Sequence, residues 1–239
     1  MNVYLNRIDG IDDALVSMTM TNGKWNKKVD DDLRKLVLDV TNRNGFLTDD
    51  SNEEFNTKLS RMAKFGIKHI TMLKFIDLSF TVKGLHRAGQ DDLDAHAKRM
   101  DNRIIRMSTR TVKSMDNFSD KSKYYEDKII TTDEAVKLCS LDMPESIDIN
   151  GNTYVKAING YVREDLKDNP DVLRGLYMES IPSNCIFKVN LAEFAHIYKL
   201  RNPSTHAHPE LQECIEMAAI QLEGIYPVFS REYLLKVDN

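Results

Sequence analysis

Arginine and histidine are the residues of this chain that most invite a chemical reading. Lys98, Arg99, Arg103, Arg106 and Arg110 recur along one stretch. A guanidinium offers a planar fork of donors that matches phosphate, so such a run can build an anion pocket. The same stretch carries Asp91, Asp92, Asp94 and Asp101, and a solvated, self-balanced face is the plainer reading. Arg201 closes the mostly apolar segment EFAHIYKLR, where a helix C-terminus favours a cation. Arg174 sits in VLRGLYMESIP, ahead of a proline, and by itself reads as a surface residue. His69 follows Gly66 between a helical and a β-rich pattern, where capping or exposure is the ordinary role of a lone histidine. His206 and His208 stand two apart with Glu210 and Glu213 beyond them. That is not the i, i+4 spacing of a helical zinc pair, so no metal site is assigned. Ser108, His96 and Asp92 supply the residue types of a hydrolase triad, but no GxSxG elbow accompanies them.

Positioning these groups takes elements whose periods are partly legible. Val3, Leu5 and Ile8 read as a short strand ended at Asp9-Gly10. Asp12 is expected to cap a helix carrying Ala14, Leu15 and Met18. Leu33, Leu36, Val37 and Val40 follow the i, i+3, i+4, i+7 rule within a helix over 29–40. A polar loop follows over 41–54, then a helix over 55–65 with Gly66 in the C′ place. Residues 74–86 are β-rich, and Leu93, Ala97, Met100, Ile104 and Met107 predict a helix over 90–110. Residues 115–128 read as loop, and Thr132 with Asp133 and Glu134 starts a short helix. Asn150-Gly151, flanked by β-prone runs, is the strongest hairpin signal in the chain. Helices are expected over 157–166 and 171–179, a strand over 185–190, and helices over 191–201 and 209–224. The expected architecture is one α/β domain over 1–239 with an insert at about 112–156.

Composition bounds the function. The chain has 239 residues, 41% of them hydrophobic and 29% charged, which is globular and ample for a core. The formal net charge is -4, which argues against coating polymeric nucleic acid while leaving room for a local basic pocket. No apolar run approaches the ~20 residues of a membrane span, and MNVYLNRIDG lacks the apolar core of a secretion signal. Cys139, Cys185 and Cys214 are odd in number and far apart, so a reducing, cytoplasmic setting is expected.

Several stretches, taken in order, resemble the flavin-dependent thymidylate synthases. VYLNRIDGIDDALVSMTM is similar to that family's first strand and helix. GIKHITMLKFIDLSFTVKGLHRA (66–88) resembles "GH-x-S … EH … FTF-x-I-x-G-x-SRA", which puts His69 on the flavin-contacting histidine and Thr71 on its hydroxyl partner. LRGLYMESIP (173–182) resembles "AR-x-x-LP", with Arg174 on a nucleotide-binding arginine. VNLAEFAHIYKLR (189–201) resembles "N-x-R-x-L-x-(N/H)-F-L-x-LR", and Arg174, Asn190, His196 and Arg201 match without gaps. HAHPELQE (206–213) is similar to "AQ-x-EIR-x". The family signature "RHR-x-x-S" is altered: Ala95-His96-Ala97 stands there, Met100 replaces the serine, Asp92 the usual Gln and Gln212 the Arg of "EIR". Ser108-Thr109-Arg110 serves as the closing "S-x-R" only with about three extra residues inserted. Arg99, Arg103 or Arg106 are candidates to restore the lost donors.

The resemblance implies an α/β fold with a central, mostly antiparallel sheet flanked by helices. It implies a homotetramer that binds FAD, with NADPH and methylenetetrahydrofolate as co-substrates. The reaction would be reductive one-carbon transfer to C5 of dUMP or a related pyrimidine deoxynucleotide. Arg201 would be catalytic. His69, Thr71, His96, Asn190 and His196 would bind the flavin, and Arg174, Arg110, Ser108 and Arg99 the nucleotide. A second expectation follows from the Ala95-His96-Ala97 departure: a homologue without turnover that keeps the fold and binds a nucleotide or a protein.

Overall fold

The computed structural model describes residues 1–48, 52–95, 103–107, 121–126, 128–173, 176–177 and 179–237. The chain forms two compact units. The first joins Met1–Val82, Asp92–Ile105 and Cys185–Asn239; the second joins Lys83–Asp91 and Arg106–Asn184. The architecture is mixed α/β, with antiparallel sheets flanked by helices.

The first unit is built on a four-stranded sheet in the order β1-β2-β7-β3, from β1 (Asn2–Asp9), β2 (Asp77–His86), β3 (Arg103–Arg106) and β7 (Pro182–Asn190). Alternation puts Leu78, Phe80 and Val82 of β2 and Cys185, Phe187 and Val189 of β7 into the core. Phe80 stacks on Phe194 at 5.3 Å between centroids. The helices of this unit are α1 (Ile11–Thr21), α2 (Lys27–Val40), α3 (Glu53–Gly66), α7 (Leu191–Arg201), α8 (Pro209–Ile225) and α9 (Arg231–Lys236). Asn26 and Asn52 cap α2 and α3, accepting from Val29 N–H and Phe55 N–H. The edge strand β1 is covered by α8, whose Gln221 side chain bonds both the Leu5 N–H and the Val3 carbonyl. A short 3₁₀ segment, Ile70–Phe75, links α3 to β2.

The second unit carries a three-stranded antiparallel sheet, β4 (Ser146–Ile149), β5 (Asn152–Ala157) and β6 (Gly160–Arg163). Asn150 (φ 51°) and Gly151 (φ 76°) make the expected tight turn, with Ile149 opposite Asn152. Ahead of this sheet lies α5 (Thr132–Leu138), begun by a reciprocal capping box between Thr131 and Glu134.

Several local expectations are corrected. Of the helix expected over 90–110, the residues up to Asp94 belong to α4 (Arg87–Asp94), Arg103–Arg106 is strand β3, and 96–102 and 108–110 lie outside the described residues. The β-branched pair Ile104-Ile105 prefers the extended backbone that a sheet edge offers. The basic run therefore does not share one helix. The helix expected over 157–166 is β6 followed by a 3₁₀ turn, Glu164–Leu166. Ile158 and Asn159 (φ 56°) turn the chain back there, so that Ala157 faces Gly160. Over 171–179, helix α6 (Pro170–Leu173) stops before Tyr177. Gly10, not Asp12, is the N-cap of α1. Gly66 is the last helical residue of α3, and a Cβ there would meet the Leu73 side chain at 2.6 Å.

Candidate functional site

The candidate residues that the structure describes lie on two elements that pack on each other. His69 and Thr71 belong to the 3₁₀ segment Ile70–Phe75 and its cap, and Asn190, His196 and Arg201 belong to α7. The segment packs along α7, and the Leu191 N–H donates to the Ile76 carbonyl at 2.8 Å. His96, Arg99, Ser108, Arg110 and Arg174 lie outside the described residues.

Helix α7 is the central helix of its unit. Leu191–Ala195, Ile197 and Tyr198 are buried, because the 3₁₀ segment, α8 and α9 all pack on it. Asn190 starts it. Its side-chain oxygen accepts the Glu193 N–H at 2.9 Å, which leaves only the amide nitrogen to donate elsewhere. His196 is half-buried midway along the helix. Tyr198 donates to Glu216 at 2.9 Å, and Glu216 pairs with Arg231 at 2.8 Å, tying α7 to α8 and α9. Burial and the Glu216 carboxylate hold the Tyr198 hydroxyl protonated, well above its ordinary pKa.

Arg201 ends the helix, half-buried. Its Nε is buried and has no hydrogen-bond partner. Native structures rarely leave a buried donor unmade, since that costs about 1–3 kcal/mol. Among the described residues the Arg201 Nε is one of several buried polar atoms in that state, the Ser180 and Ser183 hydroxyls being others.

His69 is exposed at the start of the 3₁₀ segment, and its side chain makes no cap. Its ring stacks on Phe65 with centroids 4.2 Å apart and planes 24° apart. Phe65 escaped the sequence reading, although the i, i+4 spacing across the end of α3 was the available signal. Thr71 is exposed beside Met72 and Leu73, both buried.

Of the three cations considered as replacements for the missing signature arginines, Arg106 is engaged otherwise. It donates to the Asp91 carboxylate and, at 3.2 Å, to the Gln90 carbonyl, so it braces β3 against α4. His208 is likewise engaged: its Nδ1 accepts the Glu210 N–H at 3.2 Å as the cap of α8. Among the described residues no group of three or more His, Cys, Asp or Glu gathers to hold a metal ion. Nor is any described helix long and apolar enough to cross a membrane. Clefts elsewhere are lined by other residues, one by Asp9, Arg34, Leu38 and Arg43 and another by Lys121, Ile130, Glu134 and Leu138.

Comparisons with known proteins bear on the family and the fold. A family model described as thymidylate synthase complementing protein matches residues 16–228. The chain is similar to thymidylate synthase X from Helicobacter pylori solved with FAD and dUMP, at 13% identity over 98% of this chain and 100% of that one, with a TM-score of 0.57. It is similar to a second complex of the Helicobacter pylori flavin-dependent enzyme with FAD and dUMP, at 14% identity over all of both chains and a TM-score of 0.55. A UMP/dUMP methylase, PolB from Streptomyces cacaoi bound with 5-Br dUMP, matches at 14% identity over 97% of this chain and 93% of that one, with a TM-score of 0.53. At such identities the likeness shows the fold. No curated protein matches the sequence significantly.

Proposed function

Because the chain belongs to the thymidylate synthase complementing protein family, the flavin-dependent thymidylate synthases, we propose that it carries out reductive one-carbon transfer to C5 of dUMP or a related pyrimidine deoxynucleotide. The observation that carries this reading is Arg201, whose buried Nε awaits an acceptor at the end of the helix that Asn190 begins.

The residues present suit a flavin. Exposed His69 offers a fixed ring edge, the Asn190 amide nitrogen is uncommitted by the cap, and half-buried His196 lies on the same helix. FAD, when bound, supplies the hydride chemistry, with NADPH as reductant and methylenetetrahydrofolate as carbon donor. The chain's own work is binding and electrostatics. His69, Thr71, Asn190 and His196, with His96, hold the flavin. Arg174, Arg110, Ser108 and Arg99 hold the nucleotide phosphate and sugar. Arg201 directs its guanidinium at the pyrimidine carbonyl oxygens and stabilises the negative charge that grows there as C5 reacts. The assembly is a homotetramer acting in the cytoplasm.

The second reading, a nucleotide-binding homologue without turnover, is favoured by one observation. Ala95 and Ala97 bring no donors where the family signature has two arginines. Each lost charge-assisted contact removes about 1.5–3 kcal/mol of binding. Two measurements separate the readings: the flavin absorbance of the purified protein, and flavin reoxidation on adding dUMP and methylenetetrahydrofolate. A yellow protein whose flavin turns over supports the enzyme. A colourless protein that takes up no added FAD supports the binding homologue. If Arg99 replaces a missing donor, Arg99→Ala weakens dUMP binding; unchanged affinity returns Arg99 to the solvent face.

A further inference from the structure

We propose that Phe65 is a positioning residue that presents the His69 imidazole to the flavin; the inference rests on the reading of His69 given above. An exposed histidine is ordinarily free to change rotamer, because water satisfies both ring nitrogens in any orientation. The His69 backbone is fixed, its backbone N–H donating to the Phe65 carbonyl at 3.1 Å and its backbone carbonyl accepting the Met72 N–H at 3.2 Å, and its side chain is held by one ring contact. Its ring lies on the Phe65 ring, 4.2 Å between centroids and 24° from parallel.

Phe65 is itself anchored. It is half-buried in the last turn of α3, next to Gly66, whose close approach to the Leu73 side chain locks that turn against the 3₁₀ segment. One face of the imidazole is thus covered by a ring that cannot hydrogen-bond, and both nitrogens are turned toward the ring edge. A ligand meeting this edge finds the donor and acceptor already oriented and does not have to immobilise them, which is where preorganisation adds affinity. The device needs a flat apolar ring at 65, so an aliphatic residue of similar volume fills the space without orienting His69.

The test combines a readout in the free protein with one in the complex, using Phe65→Leu, Phe65→Tyr, His69→Ala and the double variant Phe65→Leu/His69→Ala. In NMR spectra of the protein without flavin, the His69 ring protons carry an upfield ring-current shift that Phe65→Leu abolishes and Phe65→Tyr retains. Titration with FAD gives a dissociation constant about two- to tenfold weaker for Phe65→Leu, the range of one aromatic pair. Phe65→Tyr restores it, and the double variant is no weaker than His69→Ala alone. Wild-type FAD affinity in Phe65→Leu, or additive losses in the double variant, overturns the role of Phe65 while His69 keeps its place at the flavin. Unchanged FAD affinity in His69→Ala, or no FAD binding by the wild-type protein, removes the reading of His69 itself and this proposal with it.

Discussion

The side-chain oxygen of Asn190 accepts the backbone N–H of Glu193 at 2.9 Å, at the point where strand β7 becomes helix α7. One side chain therefore has two separable ends: an oxygen used by the fold and an amide nitrogen that the cap does not use. Asn190→Asp keeps the oxygen and loses the donor. It should retain the unfolding midpoint of the wild type in urea and lose FAD affinity in titration. Asn190→Ala loses both, and its midpoint should report about 1 kcal/mol of lost capping. Equal FAD affinity in wild type and Asn190→Asp would remove the Asn190 nitrogen from the flavin site.

Arg201 supports a prediction in which stability and function move apart. Its buried Nε has no partner, so that donor costs the fold free energy. Arg201→Ala should unfold at a temperature equal to or above that of the wild type. The same variant should lose nucleotide-dependent flavin oxidation, with dUMP affinity down by about 10- to 100-fold, the scale of a charge-assisted bond. Arg201→Lys should not rescue it, because an ammonium lacks the planar fork. Turnover at wild-type rate in Arg201→Ala would take Arg201 out of the mechanism.

Two glycines with nearly the same φ should respond differently to alanine. Gly10 (φ 77°) turns the chain into α1 so close to Phe75 that a Cβ would meet its carbonyl oxygen at 1.9 Å. Gly151 (φ 76°) turns the β4–β5 hairpin in open space. Gly151→Ala should cost about 1 kcal/mol, the left-handed backbone alone. Gly10→Ala adds a backbone collision and should cost about 3 kcal/mol or more. Denaturant midpoints of the two variants decide the point; equal losses would mean that the Phe75 approach is not tight.

Glu134 ties the chemistry of α5 to pH. The Thr131 N–H, foremost, and the Lys121 ammonium bond its carboxylate and hold its pKa below the ordinary glutamate value. A carboxylate depressed in the folded state stabilises above its unfolded pKa and loses that contribution as pH falls through the folded one. Glu134→Gln should therefore be less stable than wild type at neutral pH. The two proteins should converge under acid, below the ordinary range of a glutamate. Urea midpoints measured from pH 7 down to pH 3 test this, and a constant gap would show that Glu134 acts through packing alone.

Much of the scaffold was legible from local pattern. The strand pattern of CIFKVN, the Asn150-Gly151 turn and the helical spacing over 29–40 and 55–65 each declare themselves within a few residues, whereas the caps Asn26, Asn52 and Thr131 did not. The resemblance also rested on chain order, because Arg174, Asn190, His196 and Arg201 keep their spacing whatever the packing. The same local logic read Ile104 and Ile105 as helical, since the isolated pattern of apolar residues among charges fits that period as well as a strand edge. It passed over the turn at Ile158-Asn159, where Asn159 alone takes the positive φ.

What tertiary structure alone decided is the partner of each group. Gly10 starts α1 because Phe75, 65 residues away, leaves no room for a Cβ. Arg106 braces α4 through Asp91, and His208 caps α8. Phe65 lies on His69 because the chain leaving α3 turns back on the helix end, the His69 N–H donating to the Phe65 carbonyl. Residue type sets what a side chain can bond, but which bond it makes depends on distances that packing fixes across the chain. The Nε of Arg201 is of that second kind: the sequence named a cation, and packing at the helix end buried its donor without a partner.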